Sequence, residues 1–172
     1  MNILVCFIAA PDLDKLIDED WVIDKTFQID TSFLKPTLSS YDESALEITL
    51  RLSDASEKTK VAIDNKALTI AGTPATTILK TLNALRFKTV VRIDSQDDFR
   101  YRPGAIAAIL GQYVRKHAPQ DVLFLGRQSS VGENARPHLL LAEMLGWPCH
   151  TQVVGIELVD ENHLMVTSQL DD

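Results

Sequence analysis

Residues Asp121–Pro148 read DVLFLGRQSSVGENARPHLLLAEMLGWP, and this stretch decides the fold class. Asp121–Leu125 is a short apolar run with a β-branched residue, the pattern of a buried parallel strand. Gly126–Arg136 has no hydrophobic period. Pro137 suits the first turn of a helix, where a missing N–H costs nothing. Leu139, Leu140, Ala142, Met144 and Leu145 follow on helical spacing. Gly146 is then a good residue to close the helix, and Pro148 cannot continue it. Strand, long polar loop, helix is the βα unit of an open α/β sheet.

The loop's chemistry favours an anion. It contains two glycines, two serines, a glutamine, an asparagine and two arginines. Gly126 and Gly132 let backbone N–H groups come close to a phosphate. Gln128, Ser129, Ser130 and Asn134 carry hydrogen-bonding side chains, and Arg127 or Arg136 can neutralise charge. The N-terminus of the following helix adds partial positive charge. The plain alternative is a polar connection with no ligand. Eleven residues between strand and helix is longer than a connection needs, which favours a site.

The same unit repeats along the chain. Ile3–Ala9, ILVCFIA, reads as a buried central strand with Cys6 in its middle. Pro11–Asp24 is an acidic excursion on the solvated surface, and Phe27–Phe33 reads as a short strand. Ser40–Asp54 is a helix, with Ser40 and Glu43 as a capping box and Ala45, Leu46, Ile48, Thr49 and Leu52 on its apolar face. Leu38–Asp42 either offers free N–H groups to a ligand or simply caps that helix. Ala67–Ala71 is a strand followed at once by Gly72, with Thr73 as N-cap and a helix over Ala75–Arg86. Thr89–Ile93 is a strand, Ser95–Arg102 a polar loop, and Pro103–His117 a helix. After Pro148, Gln152–Val159 and His163–Gln169 alternate as a hairpin around Asp160-Glu161-Asn162. Trp147 reads as packing the last helix against that hairpin.

Repeated βα units predict a three-layer α/β sandwich with a mostly parallel, doubly wound sheet and a C-terminal β-hairpin. Ligands in such sheets bind beyond the carboxyl ends of the strands. Four elements fall at that edge: the end of the first strand, Ser39–Asp42, Ala71–Gly72 and the Gly126–Arg136 loop. No GxGxxG, GxxxxGK[ST] or GxSxG motif is present, which argues against a P-loop NTPase, a standard dinucleotide dehydrogenase or an α/β-hydrolase. No nucleophile–base–orienter set accompanies them.

Composition bounds the rest. At 172 residues, 45% of them hydrophobic and 24% charged, the chain fits one globular domain with a real core. The expected division is a core over 1–150 and a hairpin over 151–172. A net charge of −7 argues against nucleic acid or an anionic membrane as partner. No apolar run has the roughly 20 residues of a membrane span. Cys6 and Cys149 lie far apart without a CxxC, so a reduced, cytoplasmic chain is expected. The four histidines are scattered, and no metal site is expected from their spacing.

Two segments carry a family resemblance. Ser39–Leu52, SSYDESALEITLRL, has a small polar turn, an aromatic, an acidic pair and a helix ending in Arg-Leu. Val122–Val153 has Leu-Gly-Arg-Gln, a later Asn134, then Gly146-Trp147-Pro148 and Thr151-Gln152-Val153. Together with the strand–glycine–helix of Leu68–Phe87, these resemble the β subunit of electron-transfer flavoprotein along the whole chain.

The resemblance implies a nucleotide domain of the adenine nucleotide α-hydrolase-like type. It implies AMP or FAD as cofactor, and pairing with a flavin-bearing electron-transfer flavoprotein α-type subunit. It further implies an acyl-CoA or other flavin dehydrogenase as electron donor, and an electron carrier rather than a catalyst. A stand-alone adenine-nucleotide-binding module without electron transfer is the alternative. The family's contacts fall on Cys6, on Ser39, Ser40, Tyr41 and Asp42, on Ala71 and Gly72, and on Gly126, Arg127, Gln128, Ser129, Ser130, Val131, Gly132, Asn134, Ala135 and Arg136. The chain departs from the family in Ser39-Ser40-Tyr41, where Asn-Pro followed by Phe or Leu is usual, and in Asn134-Ala135-Arg136, where Asn-Gln-Thr is usual. Family members run on beyond the hairpin, so a chain cut short before a C-terminal segment is expected.

Overall fold

In the computed structural model all residues are described except Thr26, Asp98, Arg100, Ala118, 128–135 and 170–172. The sheet is built on β1 (Asn2–Phe7), every residue of which after Asn2 is buried. Its side chains alternate between two cores. Ile3, Val5 and Phe7 enter one, and Leu4 and Cys6 enter the other, as a strand covered on both faces requires.

The chain leaves β1 through an excursion tied at its base by a two-residue ladder, β2 (Ala10–Pro11) with β3 (Pro36–Thr37). It then forms α1 (Ser40–Thr59), β4 (Asp64–Ala71), α2 (Thr76–Ala84), β5 (Thr89–Asp94), α3 (Pro103–Lys116), β6 (Val122–Leu125) and α4 (Pro137–Leu145). The hairpin β7 (Val153–Leu158) and β8 (Leu164–Ser168) follows. The main sheet has the order β5-β4-β1-β6, with all three pairings parallel. Ala45, Leu46 and Leu52 of α1 and Leu82 of α2 pack on one face. Ile106, Ala107, Leu110 and Val114 of α3 and Leu141 of α4 pack on the other. This is the three-layer, doubly wound α/β fold, with the hairpin added. No helix among the described residues is long and apolar enough to cross a membrane.

Several local expectations change. The cap of α1 is Ser39, whose Oγ accepts the Asp42 N–H at 3.1 Å, and Ser40 is already helical and exposed. Ser39 is in extended backbone (ψ 155°), so the helix starts one residue earlier than a Ser40 cap would place it, and Asp42 takes the reciprocal position in the box. The helix outruns Asp54 because Ala55, Glu57 and Lys58 are good helix formers, and it stops where Lys60 turns left-handed. Phe27–Phe33 is not a strand. Ile23 and Ile29 make a single antiparallel bridge, with no neighbouring ladder to extend it. Gly72, not Thr73, caps a 3-10 turn that leads into α2. Trp147 packs with the α3/α4 core, whereas hairpin residues Ile156, Leu158 and Leu164 pack on the opposite, α1 side. Gly146 does close α4, at φ 68°.

Candidate functional site

The strand order fixes where a site can form. From β1 the chain steps outward to β4 and β5, then returns to the far side of β1 as β6. The connections of β1 and β6 therefore run to opposite faces, and a crevice opens between their carboxyl ends.

A cavity of about 460 Å³ lies at that edge. Cys6, Asp42, Ala71, Gly72 and Gly126 all line it, so four separate segments chosen from the sequence meet in one place. Ile8, Ile70, Phe99, Leu125 and Pro137 make its walls largely apolar. Gln28, Thr31, Ser32, Leu34 and Pro36 bring the excursion over it, and Ser95, Gln96 and Asp97 close the β5 side. The β5 residues were legible in principle, because Ser95 follows a parallel strand at the same edge. The excursion residues carry no such signal.

The other expected residues lie elsewhere. Ser39 is buried beneath the crevice, while Ser40, Tyr41, Arg127 and Arg136 are exposed and do not line it. Gln128, Ser129, Ser130, Val131, Gly132, Asn134 and Ala135 fall outside the described residues. Arg127 lies close enough to His138, in the first turn of α4, for its charge to act on the imidazole. Burial first, and that guanidinium second, hold His138 below its usual pKa.

Asp42 is the structural pivot. Only 4% exposed, its carboxylate accepts the Ser39 hydroxyl at 2.9 Å and the Ile8 N–H at 3.5 Å. It also accepts the backbone N–H groups of Gly126 and Ser39. One side chain thus ties together the ends of β1 and β6 and the start of α1. Burial pushes its pKa up to about 6, against the four hydrogen bonds that lower it. A Cβ on Gly126 would stand 2.5 Å from Asp42 Oδ1 and 3.0 Å from its backbone nitrogen, so a glycine is required by close approach.

Cys6 is a wall and not a nucleophile. Burial, then the Asp42 charge, pushes its thiol up to about 12, leaving no thiolate at neutral pH. Cys149 is exposed. A disulfide reagent at mildly alkaline pH should therefore titrate one thiol in the native chain and both after denaturation. Two fast thiols in the native chain would mean that the crevice floor opens.

The crevice is bordered by backbone as well as by apolar side chains. The walls are apolar, and Ala71 and Gly72 bring little side chain into the space. At Gly72 the atoms nearest an added Cβ belong to the side chain of Gln96, the first at 3.0 Å, so the close neighbour there is a movable group. The amides of Ile8 and Gly126 and the α1 N-terminus already have Asp42 as their anion.

The family model for the electron transfer flavoprotein domain matches residues 26–172. The electron transfer flavoprotein subunit YgcR of Escherichia coli (strain K12) is 34% identical over 155 residues, 89% of this chain and 58% of that protein. The electron transfer flavoprotein subunit beta of Saccharomyces cerevisiae is 31% identical over 145 residues, 84% of this chain and 54% of that protein. The chain thus spans little more than half the length of the curated relatives it matches.

Proposed function

The chain belongs to the electron transfer flavoprotein family and is of its β-subunit type, and from this premise we propose that it binds an adenine nucleotide, AMP or FAD, in the crevice between β1 and β6. The observation that carries the reading is the convergence of Cys6, Asp42, Ala71, Gly72 and Gly126 on one cavity of about 460 Å³. Its apolar walls take the base, and the backbone at Ala71 and Gly72 borders it. Arg127 and Arg136 serve the phosphate with the loop they bracket.

As a β-type subunit the protein pairs with a flavin-bearing α-type subunit, takes electrons from an acyl-CoA or other flavin dehydrogenase, and acts as a carrier rather than a catalyst. Bound flavin supplies the redox chemistry. This chain's own residues bind, orient and exclude water. Cys6 keeps its proton at neutral pH and forms part of the floor. Two cysteines that are both free fit a reducing, cytoplasmic setting.

Gly72→Leu tests the site with little risk to the fold. Gly72 has φ −79°, a backbone any residue adopts, and the group in the way is the exposed end of Gln96. The leucine should project into the crevice and weaken AMP binding, measured by calorimetry, by about tenfold or more, with the thermal midpoint nearly unchanged. Full affinity in a folded Gly72→Leu chain would remove the crevice from consideration.

A further inference from the structure

The excursion between β1 and α1 covers the cavity with Gln28, Thr31, Ser32, Leu34 and Pro36. It also exposes Ile17, Trp21, Val22, Ile23, Phe27 and Phe33, none of which lines the cavity or joins either core. Six large apolar side chains left in water along one short segment mark an interaction surface.

The tip is held in shape to present them. The Asp24 N–H donates to the Gln28 carbonyl at 2.8 Å and the Phe27 N–H to the Asp24 carbonyl at 3.1 Å. The Asp24 carboxylate accepts the Gln28 N–H at 2.9 Å. Phe27 sits at φ 59° and is 88% exposed. An aromatic residue avoids that backbone conformation, and with its ring in solvent the packing of the fold gives no reason to keep it there.

Charge decides what covers this face. Between Pro11 and Lys25 the chain carries Asp12, Asp14, Asp18, Glu19, Asp20 and Asp24 against Lys15 and Lys25. A second copy of the chain would set carboxylates against carboxylates. An anionic lipid surface or a nucleic acid would be repelled. What complements the face is a protein with an apolar centre and a basic rim.

We propose that the exposed apolar surface of this excursion, with Trp21 and Phe27, is the surface on which the α-type subunit docks. The proposal rests on the pairing put forward under the proposed function.

The test is co-expression of this chain with its cognate α-type subunit, and purification through a tag on the latter. Trp21→Glu, and separately Phe27→Asn, should cut recovery of this chain by about tenfold or more. Phe27→Asn suits the left-handed backbone, so its thermal midpoint should be no lower than that of the parent, which separates docking from folding. Met165→Glu, on the exposed side of the hairpin, should leave recovery unchanged, and added salt should weaken the parent complex. Parental recovery of both excursion variants, or loss confined to Met165→Glu, would overturn the docking surface alone. Failure of the parent chain to co-purify with the tagged α-type subunit would overturn the pairing itself, and this surface with it.

Discussion

Gly126→Val should lower the thermal midpoint by roughly 10 °C, the equivalent of about 3 kcal/mol or more for a domain of this size. The first added carbon alone would lie 2.5 Å from Asp42 Oδ1 and 3.0 Å from the Asp42 backbone nitrogen. Neither neighbour can give way cheaply. The nitrogen belongs to the first turn of α1 and donates to Ser39 Oγ, and the carboxylate is held by Ser39, Ile8 and Gly126 itself. Relief therefore needs a shift of α1 relative to β6, which breaks the hydrogen bond from Gly126 and loosens the junction of α1 with β6. Calorimetric melting checks this, and Gly72→Leu is the internal control. Both substitutions add a branched side chain to a glycine at the same sheet edge, but only Gly126 faces a fixed partner. A midpoint within a degree or two of the parent for Gly126→Val would show that Asp42 is not anchored as described.

Below the ordinary carboxylate pKa, Asp42→Ala should cost a similar amount, about 3 kcal/mol, because it leaves the buried donors of Ser39, Ile8 and Gly126 without an acceptor at about 1 kcal/mol or more each. The loss exceeds that of an ordinary helix cap, about 1 kcal/mol, since the side chain joins three elements. Its pH dependence has a defined sign. The folded pKa, about 6, lies above the ordinary 3.8, so the folded state holds the proton more tightly than the unfolded chain. The contribution of Asp42 is then complete below the ordinary value and declines as pH rises through the folded value. The stability difference between the parent and Asp42→Ala should be greatest below the ordinary value, and should shrink by on the order of 2 to 3 kcal/mol once pH passes the folded value. Denaturant titrations of both chains across that range measure it, other groups cancelling in the difference. A difference that grows with pH would mean the carboxylate's hydrogen bonds outweigh its burial.

The framework was legible because the sequence wrote it in burial. ILVCFIA has no alternation, as a strand covered on both faces demands, and Ile3 to Phe7 do divide between two cores. The glycine and proline punctuation at Gly72 and at Pro137–Gly146 marked the turns. The candidate site was legible for a different reason: strand ends in a parallel sheet share an edge, so Cys6, Ala71 and Gly126 had to be neighbours. Asp42 was visible only as half of an ambiguity between cap and ligand. It proves to be the cap's reciprocal partner and the crevice floor at once, a role set by Ile8 and Gly126, which are distant in sequence. Phe27–Phe33 misled because weak alternation resembles a strand wherever a chain is irregular, and nothing local states that no neighbouring strand is present to pair with. The excursion's cover over the cavity was likewise invisible, since it depends on the Ala10–Thr37 pairing and on no motif.

The central claim is that the crevice holds an adenine nucleotide, and it is tested most directly by mass spectrometry of the small molecules released when the purified chain is denatured, read with its visible spectrum. AMP or FAD near one equivalent per chain is the expected result. A colourless chain with AMP assigns a structural nucleotide, and a yellow one with FAD assigns a second flavin. A folded chain that releases neither, and that shows no thermal shift on addition of AMP or FAD, contradicts the account.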